Sequence, residues 1–210
     1  MVSVFVLPLT ASSQTNLITI KHLGKTPCEL GLGMAYTLEV AQDEKRLSEP
    51  FPEDWLVLRI KDRNQKTVAL KRFCSSYQQF CINIIDLDGD GQKEFIFTLG
   101  EGRGTSARLE TLSIEHFEKY QFEKILTTPL SNYYASGKRW WYSVGFKDAD
   151  GKGTVDLLLQ LHLDDADDFG KEGIPKEKIK LFKWVKVPPA GGKGFPKLEA
   201  TFSTDANYPH

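Results

Sequence analysis

Hydrophobic and polar positions alternate with period two along most of this chain, the pattern of half-buried β-strands. Trp55–Lys61 (WLVLRIK) places Leu56, Leu58 and Ile60 on one face, and 66–72 (KTVALKR) does the same with Val68 and Leu70. The polar DRNQ between them predicts a β-hairpin. Ala35–Gln42 sets Tyr36, Leu38 and Val40 against Thr37 and Glu39; 155–164 sets five apolar residues against Asp156, Gln160 and His162. Cys81–Ile85 and 95–98 are short apolar runs that suit central strands. Strands over 109–114 and 179–187 complete the set, the last with Lys178, Lys180 and Lys186 as a solvated stripe. Helical periodicity is nearly absent: 42–54 is polar and holds Pro50 and Pro52, and the aromatic and β-branched residues of 113–124 favour strand and turn. The reading is ten to twelve strands, mainly β, in antiparallel sheets.

Composition narrows the class. The 210 residues carry 27 Lys plus Arg against 28 Asp plus Glu, a net charge of −1, which argues against a general nucleic-acid binder. No apolar run reaches the ~20 residues of a membrane span. Residues 1–14 include the apolar Val2–Leu9 and small Ala11-Ser12-Ser13 but no Lys or Arg, so they read as a signal remnant or a tail. Residues 15–195 form one β domain, and 196–210 a tail or a last edge segment. Of Cys28, Cys74 and Cys81, the last two flank a short connector and are expected to be bridged in an oxidising compartment.

One segment carries chemistry. Asp86–Glu94 reads DLDGDGQKE, with carboxylates Asp86, Asp88, Asp90 and Glu94 at loop positions 1, 3, 5 and 9 and Gly91 permitting the turn. Alternate residues of a tight loop point inward, and four converging carboxylates repel one another without a cation. Oxygen-only ligation in a flexible loop favours Ca²⁺ over Mg²⁺. The carbonyl of Gln92 is a further candidate ligand. An EF-hand is excluded by Phe97 at position 12 and by flanks that read as strands. Asp148 stands 62 residues after Asp86 and opens DADGKGTVD. There Asp148, Asp150 and Asp156 repeat positions 1, 3 and 9, Gly153 serves as the turn glycine, and Lys152 replaces the acid at position 5. A cation at a ligand position makes this second site weak or degenerate.

The DxDxDGxxE loop between strands, its partial repeat, and FIFTLGEGRGTS over 95–106 resemble the FG-GAP or VCBS-type repeats of integrin-like β-propellers. The likeness covers about 80–163, with loop repeats at 80–115 and 141–164. It implies four-stranded blades with a calcium loop between the first two strands of each. Two repeats cannot close a propeller, so the resemblance implies an incomplete or open propeller-like arrangement.

Other motifs give way to plainer readings. Gly100, Gly102 and Gly104 lack a following GK[ST] and read as a hairpin turn. His22, His116, His162 and His210 lack zinc-ligand spacing. Tyr133, Tyr134, Trp140, Trp141 and Tyr142 surround Lys138 and Arg139; such clusters stack on sugars but more commonly pack a β-core. The run Asp164, Asp165, Asp167, Asp168 reads as a solvated loop. No catalytic signature stands out. The expectation is a non-catalytic, calcium-stabilised exported domain, periplasmic or extracellular, that binds a protein or glycan partner. The alternative is an inhibitor or immunity-type protein against a cell-wall hydrolase, with an enzyme on polysaccharide less favoured.

Overall fold

A computed structural model describes residues 18–20, 23–31, 33–75, 80–101, 107–134, 139–148, 154–185 and 197–203. Thirteen strands are present among them: β1 Ile18–Ile20, β2 Gly24–Glu29, β3 Ala35–Gln42, β4 Trp55–Lys61, β5 Thr67–Cys74, β6 Cys81–Ile85, β7 Glu94–Glu101, β8 Ala107–Glu118, β9 Gln121–Tyr134, β10 Arg139–Lys147, β11 Asp156–Leu163, β12 Ile179–Val185 and β13 Lys197–Ser203. Described helical structure is confined to three single 3-10 turns, Glu44–Arg46, Pro52–Asp54 and Ala166–Asp168. No helix among the described residues is long and apolar enough to cross a membrane.

All pairing is antiparallel. A four-stranded sheet runs β2-β3-β4-β5, and a nine-stranded sheet runs β1-β6-β7-β8-β9-β10-β11-β12-β13. Neither closes into a barrel.

β7 lies at the centre of the packing because its residues are apolar on both faces. Phe95 and Phe97 pack with Leu38, Val40, Leu56, Leu58 and Ile60 of the small sheet. Phe73 of β5 lies 4.9 Å from Phe97, ring to ring. On the other face Ile96 joins Leu112, Ile114, Trp140, Leu157 and Leu159. β7 and β10 stand three places apart, about 14 Å across a flat sheet. The Val155 N–H, just before β11, nevertheless donates to the Leu87 carbonyl, in the β6–β7 loop, at 2.7 Å, so the large sheet curls over itself. β10 pairs β9 through only Arg139–Trp141.

Of the two alternatives for the C-terminal residues, Lys197–Ser203 form an edge strand on β12. Other expectations change. Cys74 is exposed at the end of β5 and Cys81 half-buried at the start of β6. They sit on different sheets, and no disulfide joins them. Lys180 is not a solvated stripe residue: it is half-buried over the Tyr142 ring at 4.8 Å, and desolvation lowers its pKa. Trp140 and Tyr142 are core, whereas Tyr133 is exposed. Residues 1–14, Gly102, Gly104, Lys138 and Lys186 lie outside the described residues.

Candidate metal centre

The loop from Asp86 to Lys93 joins β6 to β7, and its shape follows from its own side chains. Gly89 and Gly91 take left-handed backbone angles (φ 75° and 87°), which spares the loop a Cβ penalty at both turns. The Gly89 N–H donates to Asp86 Oδ1 at 2.7 Å and the Gly91 N–H to Asp86 Oδ2 at 3.0 Å. Asp88 Oδ1 accepts from the Asp90 N–H at 3.1 Å, and Asp90 Oδ1 from the Gln92 N–H at 2.7 Å. Buried Leu87 anchors the loop in the second core. Its N–H donates to Glu94 Oε2 at 2.8 Å, tying the first turn to the start of β7.

These constraints bring oxygens of Asp86, Asp88 and Glu94 within 4.8 Å of one another, an arrangement able to hold a metal ion. Asp90 is not in that group. Its side chain is exposed and engaged with Gln92, whose amide Nε2 donates to Asp90 Oδ2 at 3.5 Å. The expected four-carboxylate set is therefore three converging groups with Asp90 at the rim.

Electrostatics mark the cluster as strained without a counter-charge. Burial, with Glu94, Asp90 and Asp86 nearby, raises the Asp88 pKa to about 6. Burial also raises that of Glu94, which has no exposed surface. His116, absent from the sequence-based ligand set, lies behind the site with its Nδ1 3.0 Å from Glu94 Oε1. That hydrogen bond raises the His116 pKa. The β7–β8 register carried the signal: Phe95 lies opposite Glu115, which makes His116 the next partner of Glu94.

Two neighbouring connections dock on the loop. The β2–β3 turn meets it at a Gly31–Gln92 bridge, and the Lys93 N–H donates to the Leu30 carbonyl at 3.2 Å. A Cβ at Gly31 would stand 2.7 Å from the Gly91 carbonyl oxygen, so this approach requires glycine. On the opposite side the Val155 N–H donates to the Leu87 carbonyl at 2.7 Å, and the Trp184 indole donates to the Val155 carbonyl at 2.9 Å. Val155 closes the second acidic loop. Of that loop, Asp148 is half-buried and Asp156 buried opposite Lys147, while Asp150, Lys152 and Gly153 lie outside the described residues.

No family model, curated protein or solved structure matches this chain.

Proposed function

We propose that this chain is a non-catalytic β-domain, stabilised by one Ca²⁺ at the β6–β7 loop, that acts in the periplasm or outside the cell by binding a protein or glycan partner. The observation that carries the reading is the convergence of Asp86, Asp88 and Glu94 within 4.8 Å in a loop on which two other strand connections dock. A donor set of oxygens only, held in a loop with exposed positions for water, suits a hard ion of flexible coordination. The Gln92 carbonyl and Asp90 are the nearest further ligands by sequence. Support for a propeller-like ancestry is topological. Three successive four-strand runs, β2–β5, β6–β9 and β10–β13, carry a docking turn or acidic loop between their first two strands.

The experiment is a thermal melt with excess Ca²⁺ and with chelator. A ligand that binds only the folded state adds about 2.7 kcal/mol at a hundredfold excess over Kd. For a chain of this size that raises Tm by about 5–10 °C. Identical melts would refute the site.

The second reading, an inhibitor of a cell-wall hydrolase, is favoured by one feature: the polar connector between β3 and β4 exposes two large apolar side chains, Leu47 and Phe51.

A further inference from the structure

The aromatic residues of β10 divide between the two faces of the large sheet. Trp140 and Tyr142 enter the second core, and alternation along the strand turns Arg139, Trp141 and Ser143 to the face away from it. The register extends that face to both sides. Tyr133 of β9 lies opposite Arg139, and His162 and Gln160 of β11 lie opposite Trp141 and Ser143. There the Arg139 guanidinium lies 5.0 Å over the Trp141 ring, and the Trp141 ring stacks on His162 at 5.5 Å with 17° between planes. His162 Nε2 stands 3.0 Å from Ser143 Oγ.

This row reaches water. Tyr133 is 39% exposed, Ser143 and Gln160 are exposed, and Arg139, Trp141 and His162 are half-buried. Its donors are also unused. Trp140 and Trp184, which serve the core, donate their indole N–H groups to the carbonyls of Gly173 and Val155, each at 2.9 Å. Among the described residues the Trp141 indole N–H, the Arg139 guanidinium and the Tyr133 hydroxyl have no hydrogen-bond or ion-pair partner. Stacking holds these planar groups in place without consuming their donors, so little ordering cost remains when a ligand arrives.

The chemistry of the row selects a sugar. Each member has an apolar plane and a polar rim, which suit the C–H face of a pyranose ring and its hydroxyl groups respectively. From Tyr133 to His162 is two strand spacings, about 10 Å, so a chain of several sugars can cross it. The charge around it is balanced. Arg108 faces Tyr133, Glu110 faces Ser131, and Asp164 continues the ladder opposite Arg139, its N–H donating to the Arg139 carbonyl at 3.2 Å. Lys138 and Asp165, next along the chain, add one charge of each sign, and Lys147 faces Asp156 at the far end. A nucleic acid or an anionic bilayer therefore meets no excess of positive charge. We propose that Tyr133, Arg139, Trp141 and His162 form a platform for a neutral, extended oligosaccharide. This rests on the reading of the chain as a non-catalytic binding domain and narrows its partner to a glycan.

The test titrates the full chain, with Ca²⁺ present and at about 0.15 M salt, with cellotetraose and with chitotetraose, read by tryptophan fluorescence and calorimetry. The expected result is saturable binding of at least one of them at a Kd of about 1 mM or tighter, with a shift in emission. Trp141→Ala and Tyr133→Ala should each weaken that binding about tenfold. Tyr133→Ala changes an exposed side chain and keeps the fold, which a melt on the same sample verifies. Absence of binding to both sugars, equal binding by the variants, a dimer that the variants abolish, or tighter binding of oligothymidylate that the same variants lose would each overturn the proposal. A calcium titration on the same preparation separates the two ideas: calcium bound with neither sugar removes the platform and leaves the metal reading standing.

Discussion

Glu94 is the residue on which the acidic β6–β7 loop closes. Its two oxygens accept from the Leu87 N–H and face His116 Nδ1, and it has no exposure to water. A buried carboxylate beside Asp88 favours protonation when no cation is present. The sign of the pH dependence follows. Asp88, raised to about 6, contributes stability that is complete below its ordinary value near 4 and lost as pH rises through 6. The raised pKa of Glu94 acts in the same direction, and His116 likewise contributes below about 6.5 and loses that contribution above. Metal-free protein should therefore lose the Asp88 contribution as pH climbs from about 4 to 6, while a cation that needs ionised oxygens stabilises more over the same interval. Denaturant unfolding across that range, with Ca²⁺ and with chelator, should show a gap that widens with pH and disappears in Asp88→Asn. A gap that is flat or largest at pH 5 would contradict the assignment. Much of this site was legible residue by residue, because carboxylates at positions 1, 3 and 9 and glycines at the turns fix a loop locally. The outward placement of Asp90 and the His116–Glu94 hydrogen bond were not legible for a shared reason: both depend on contacts made by side chains across the loop and across the β7–β8 register, which spacing along the chain does not encode.

At the scale of elements, the legible strands were those with uninterrupted alternation. β3, β4 and β6 fall within their predicted bounds because each buries a regular apolar face. β2 and β9 escaped because each holds a proline, which ordinarily demotes a strand. Pro27 is tolerated on the edge of the small sheet. Pro129 sits at a register shift where Glu110 faces Ser131 and Thr111 faces Pro129. The β8–β9 hairpin shows a second local conflict. Its two-residue turn is Lys119-Tyr120, both with positive φ, 51° and 65°. Such turns favour Asn-Gly, and Tyr120 is 56% exposed, so little packing offsets the strain. Replacing the pair by Asn-Gly should stabilise the protein by about 1 kcal/mol, read as a higher urea midpoint at unchanged slope. A lower midpoint would mean that the Tyr120 ring contributes packing which outweighs the backbone cost.

At the scale of the molecule, β7 is covered on both faces, by the small sheet on one and by the curled end of its own sheet on the other. Sequence pattern identified β7 as a buried strand but not what buries it, since both covers depend on pairings distant in the chain. The Lys71–Glu115 ion pair, 2.6 Å, links the two sheets in the same way. The acidic loop lies where these layers meet: Leu30 and Gly31 of the β2–β3 turn contact it at Lys93 and Gln92, and Val155, held by Trp184, contacts it at Leu87. An ion bound there would brace three parts of the fold at once, a role in stability rather than in chemistry. Calorimetric titration of metal-free protein with Ca²⁺ tests this most directly. The account predicts one tightly bound ion per chain, with affinity reduced at least about tenfold in Asp88→Asn; an absence of binding, or binding that Asp88→Asn leaves intact, would contradict it.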